Sequence, residues 1–192
     1  MERSTRFVSL SGLSGIAAGI SALIGAYIAH GIIGDYYNNY NANGYSNQSF
    51  EKLKWNLLFL AAGVFVVALI SAFIFTNRRA KNDKIAIWNP ASQRLGINLL
   101  IPLITGALFI FSMLTYDEWR FAAPLALIFY GLAVVNASKY TISDIRYLGI
   151  AEIILGLINT QYIGYGLYFW AAGFGILHII YGCIMWYKHE RN

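Results

Sequence analysis

Residues 53–84 read LKWNLLFLAAGVFVVALISAFIFTNRRAKNDK. No side chain from 57 to 75 is charged, and the run ends against Arg78, Arg79, Lys81 and Lys84. A helix needs roughly 20 mostly apolar residues to cross the hydrocarbon of a bilayer. A barrel strand would alternate apolar and polar residues, and 57–70 shows no such alternation. The stretch therefore predicts a membrane-crossing helix that stops on a positively charged loop.

The pattern recurs along the chain. Comparable runs lie at 7–33, 53–75, 95–115, 121–137, 145–158 and 162–186, of which the fifth is short and is expected either to start earlier, through 141–144, or to sit tilted among its neighbours. Apolar residues make up 58% of the sequence and charged ones 12%. With a mean hydropathy of +0.53 this is too much apolar surface for a water-soluble domain to hide. The first run is longer than the apolar core of a signal peptide and ends at no small-x-small cleavage site, so it counts as a span. The expectation is an all-α polytopic bundle of six transmembrane helices, one transmembrane domain over 1–192 without a soluble domain.

Lys and Arg near span ends resist translocation. With the N-terminus inside, Arg3, Arg6, Arg78, Arg79, Lys81, Lys84, Arg94, Lys139, Arg146, Lys188 and Arg191 are cytoplasmic, and only Lys52, Lys54 and Arg120 are outside. The sequence thus predicts a multi-pass protein of the bacterial cytoplasmic membrane with both termini inside. Its net charge of +5 reports topology and not a nucleic-acid partner. Arg78, Arg79, Lys81, Lys84 and Trp88 are the expected contacts to anionic lipid headgroups, with an ordinary solvated loop as the alternative. Tyrosines and tryptophans near the span ends read as interfacial belts. Residues 35–49, DYYNNYNANGYSNQS, read as a loop capping the outer mouth, too rich in turn-formers to continue a helix.

A repeat is visible in outline. Phe59-Leu60-Ala61-Ala62-Gly63 recurs as Phe169-Trp170-Ala171-Ala172-Gly173, and Gly-Ile steps open alternate spans at Gly15-Ile16, Gly96-Ile97 and Gly149-Ile150. Three helical hairpins follow from this, each starting and ending in the cytoplasm. Three hairpins of short spans resemble, in architecture alone, the small acid-resistance membrane proteins, and no residue motif carries a function across.

Small residues mark where helices approach closely in lipid. Gly12, Gly15, Gly19, Ala22 and Ala26 form a stripe on the first span, for internal packing or for a homodimer. Ionisable groups inside a span cost several kcal/mol unless partnered, so Glu152 and His178 are the candidate buried polar site. A turn between 160 and 164 would set Glu152 level with residues 168–176, and His178 one to three turns further on. A direct pair needs a late turn, and Asp144 is the alternative partner of His178. Pro102 is expected to kink the third span.

No nucleophile with a neighbouring base, paired carboxylates, phosphate loop or metal-ligand spacing is present in the sequence. The lone Cys183 has no partner. The expectation is no enzyme, no cofactor and no metal. Two functions remain open. One is an accessory, stress-related or scaffold protein acting by helix association, with itself or another membrane protein. The other is a small transporter or channel built on Glu152 and His178.

Overall fold

The computed structural model describes residues 11–82 and 88–189. Six helices follow one another: α1 (Gly12–Asn43), α2 (Asn47–Asn82), α3 (Pro90–Thr115), α4 (Ala122–Ala137), α5 (Ile145–Gln161) and α6 (Ile163–Lys188). A single 3₁₀ turn, Trp119–Phe121, leads into α4. Five of these segments are long and apolar enough to cross a membrane: Gly12–Asn43, Asn47–Lys81, Pro90–Thr115, Trp119–Ala137 and Ile163–Lys188. The exception is α5, whose 17 residues span about 25 Å at 1.5 Å per residue. It begins at Ile145; residues 141–144 form turns rather than an earlier start.

The expected outer loop is a helical hairpin instead. α1 runs on to Asn43, α2 starts at Asn47, and only Gly44, Tyr45 and Ser46 connect them. Turn-forming residues do not stop the helix here because it supplies local partners for their side chains. Asn39 Nδ2 donates to the carbonyl of Asp35 one turn back, and the Tyr36 ring lies 5.6 Å from Tyr37, 6.4 Å from Tyr40 and 6.1 Å from Phe50. Gly44 ends α1 with φ of 79°, a conformation that glycine adopts without strain. Lys54 pairs with Glu51 at 2.5 Å and Asp117 at 2.7 Å, and Phe50 meets Trp119 edge-on at 5.7 Å. These contacts tie α2 to the α3–α4 connection. This tyrosine-rich end of the bundle is opposite the basic end, where Ser11, Arg79, Asn89, Lys139 and Lys188 lie.

Close backbone approach organises the interior. α1 packs between α2 and α6. A Cβ on Gly19 would stand 2.6 Å from the Gly175 carbonyl, and one on Gly15 would stand 3.2 Å from the Gly182 Cα. The α1 glycine stripe is therefore filled by α6 of the same chain. α4 and α5 form a second closely packed pair. A Cβ on Gly131 would reach within 2.5 Å of the Gly149 carbonyl, and one on Gly149 within 2.7 Å of the Gly131 carbonyl. α3 lies on α4 through Gly106 against Phe129. α6 thus joins an α1–α2 half to an α3–α4–α5 half.

The repeated sequence elements are not used alike. Gly173 is closed in by Leu127 and Glu152, whereas a Cβ on Gly63 would meet nothing within 4 Å. Gly15 and Gly149 are packing points, and Gly96 is open. Apolar side chains of α2 and α3 such as Phe59, Phe73, Ile101 and Leu108 face outward, the distribution expected when lipid is the solvent.

Candidate functional site: a buried Glu–His–Tyr cluster

The inward face of α5 carries Ile145, Leu148, Gly149, Glu152, Gly156 and Asn159, at the three- and four-residue steps that keep side chains on one side of a helix. Glu152 and Asn159 are fully buried there. Gly149 and Gly156 let α4 come close; a Cβ on Gly156 would lie 2.9 Å from the Pro124 carbonyl. The carboxyl of Glu152 is thereby pressed between α4 and α6. On the α6 side it faces Gly173, where a Cβ would stand 2.5 Å from Oε2. Glycine supplies the room for the carboxyl group.

His178 completes the cluster. Its Nδ1 lies 3.3 Å from Glu152 Oε1 and 3.1 Å from the Gly173 carbonyl, and its Nε2 lies 2.7 Å from the Tyr130 hydroxyl of α4. The Tyr130 and Phe174 rings flank the imidazole at 5.2 Å and 6.0 Å. Two proton arrangements satisfy these distances. With neutral His178, the phenol donates to Nε2, and Nδ1–H points at both the Gly173 carbonyl and Glu152. With imidazolium, both ring nitrogens donate, Tyr130 accepts, and Glu152 is the counter-charge. Neither carboxyl oxygen of Glu152 has a hydrogen-bond partner among the described residues. The carboxyl is close to its neighbours but not locked by them.

α6 is not uniformly α-helical at this point. Gly166–Trp170 is α-helical, Ala171–Leu177 is a π-helical stretch, and His178 begins the final α-helical segment, which runs to His189. Such wide turns recur at functional sites because they displace backbone carbonyls from the regular ladder. The connection between α5 and α6 falls at Tyr162, so Glu152 is level with Gly173. His178 reaches it all the same, since helical side chains lean toward the N-terminus and the wide turn shortens the axial step between 173 and 178.

The other site residues are distributed elsewhere. Asp144, the alternative partner of His178, sits at the start of α5 and pairs with Lys188 at 2.5 Å. It lies about 12 Å along α5 from Glu152, too far to serve that role. Arg78, Arg79 and Lys81 occupy the last turns of α2, where cations also suit the helix dipole, and Trp88 is 79% exposed just before α3. Lys84 lies outside the described residues. Pro102 is inside α3, the helix that packs on α4.

Tyr130 was not visible from the sequence as a site residue. It stands within the apolar run of α4, where an aromatic ring reads as packing, and the one available signal was its hydroxyl, which needs a partner when buried. Asn159 and Thr141 were missed too, each buried with a side-chain oxygen lacking a partner among the described residues. No known protein family, curated protein or solved structure matches this chain.

Proposed function

We propose that this chain is a non-enzymatic, multi-pass protein of the cytoplasmic membrane with both termini inside, whose working centre is a proton-exchange site at Glu152, His178 and Tyr130, as in a small transporter or channel. The observation that carries this reading is the fully buried Glu152 carboxyl beside the imidazole, with neither oxygen held by a hydrogen bond among the described residues. A structural carboxylate in hydrocarbon is ordinarily saturated with donors, because each unmet polar group there costs several kcal/mol. This one retains capacity to take and release a proton, and His178 is the neighbour able to exchange it. Membrane lipids are its surroundings, with Arg78, Arg79, Lys81 and Trp88 at the headgroup level.

Infrared difference spectra of the purified protein, recorded between neutral and acidic pH, test the site. A protonated-carboxyl band that appears on acidification and is missing in Glu152→Gln supports the reading. A wild-type spectrum with no band removed by that substitution overturns it.

Action by helix association is the second reading, supported by α2, whose membrane-depth face has only α1 as an extensive neighbour and exposes Phe59, Val66, Ile70 and Phe73. Native mass spectrometry of the detergent-extracted chain distinguishes it. A stable oligomer that Phe59→Ser and Ile70→Ser break apart supports association, and a monomer under all conditions rejects a homo-oligomer.

A further inference from the structure

We infer that Tyr181 and the Asp144–Lys188 pair connect the buried Glu152–His178–Tyr130 cluster to the basic end of the bundle, so that protons enter and leave from that end. The inference rests on the proton-exchange reading and adds its route. His178, Tyr181 and Lys188 recur along one face of α6 at helical spacing, and Glu152 and Asp144 lie on the facing helix α5. The upper members are joined by the 3.3 Å Nδ1–Oε1 and 2.7 Å Nε2–Oη contacts, and the lower ones by the 2.5 Å Lys188–Asp144 pair. Between them stands half-buried Tyr181, one helical turn beyond His178 and two turns before Lys188 on the same helix. The Asp144 and Lys188 side chains are 29% and 56% exposed, so the lower end of the series is open to solvent.

Each packed element contributes known groups to this line. α4 supplies Tyr130; α5 supplies Glu152 and Asp144; α6 supplies His178, Tyr181 and Lys188. The α1 residues that meet α6 at its glycine contacts are Gly12, Gly15, Ile16, Gly19 and Leu23, none of them titratable. Toward the tyrosine-rich end, by contrast, the next inward position on α5 after Glu152 is Gly156, closed onto Pro124 and Ile128 of α4. The next polar side chain there is Asn159, about 10 Å away.

The transfer conserves protons and involves no redox change. On uptake Asp144 gives a proton to Tyr181 and Tyr181 gives its own to Tyr130, while the Tyr130 hydroxyl proton passes to Nε2 of neutral His178. The imidazolium so formed gives its Nδ1 proton to Glu152, and release runs the same steps in reverse. Each phenol accepts a proton as it gives one, so neither has to remain ionised. The route calls on bridging water wherever the hydroxyls do not touch.

The test follows hydrogen–deuterium exchange of the Glu152 carboxyl infrared band in the full chain in lipid nanodiscs. Tyr181→Phe removes only the hydroxyl, and is expected to slow exchange roughly tenfold or more, the scale of losing a positioned proton carrier. Asp144→Asn should also slow it, while Asn159→Ala leaves it near the wild-type rate. Exchange at the wild-type rate in Tyr181→Phe, or slowing by Asn159→Ala in its place, overturns the route while leaving the proton-exchange site intact. Absence of a titrating Glu152 band overturns both. Helical circular dichroism and melting of each variant confirm that the fold is retained.

Discussion

A carboxyl in the centre of an apolar bundle is held by what surrounds it, and Glu152 is held largely by the lack of a side chain opposite. A Cβ at Gly173 would stand 2.5 Å from Glu152 Oε2 and would also overlap Leu127. Gly173→Ala is therefore expected to cost about 1–3 kcal/mol through overpacking and to change the Glu152 infrared band. Gly63, the matching position in the sequence echo, is open on its helix face. Gly63→Ala is expected to raise stability by roughly 0.5–1 kcal/mol, because alanine loses less backbone freedom in a helix. Thermal unfolding of the two variants in the same detergent checks the opposite signs. Glu152 and His178 were legible as buried polar residues from their placement in apolar runs. Their contact, and the part played by Tyr130, were not, because a π-helical stretch shifts level and direction without a sequence mark.

At the level of elements, termini and close approaches decide how each helix sits. α3 starts with a reciprocal cap: Asn89 Oδ1 accepts from Ser92 N–H at 2.9 Å, and Asn89 N–H donates to Ser92 Oγ at 3.0 Å, with Pro90 in the first helical position. Asn89→Ala should lower stability by about 1 kcal/mol, measured as a shift in the unfolding transition, without affecting the Glu152 band about α5. The helical hairpin at 35–49 shows the converse limit of local signals. Asn, Gly and Ser disfavour helix only modestly per residue, and tyrosine stacking against Phe50 together with continuation of a long stable helix outweighs them.

For the whole molecule, the arrangement is two halves joined by α6. Every connection at the tyrosine-rich end is short, while the basic residues gather at the other end. Single cysteines placed at Tyr45 and at Trp88, in a chain with Cys183→Ser, are expected to label from opposite sides of a sealed membrane with an impermeant maleimide. Labelling of both from one side would refute the proposed topology.

Sequence alone determined the solvent of this protein, the number of its helices and the polarity of its two ends, though not where α1 and α2 meet, because hydropathy and charge act locally and additively along the chain. Tertiary structure decided which glycines became contacts, which half of the repeat was used, and that one glutamate, one histidine and one tyrosine from three helices meet. Those outcomes depend on helix level, rotation and a widened turn, where a displacement of one residue moves a side chain from the interior to the lipid.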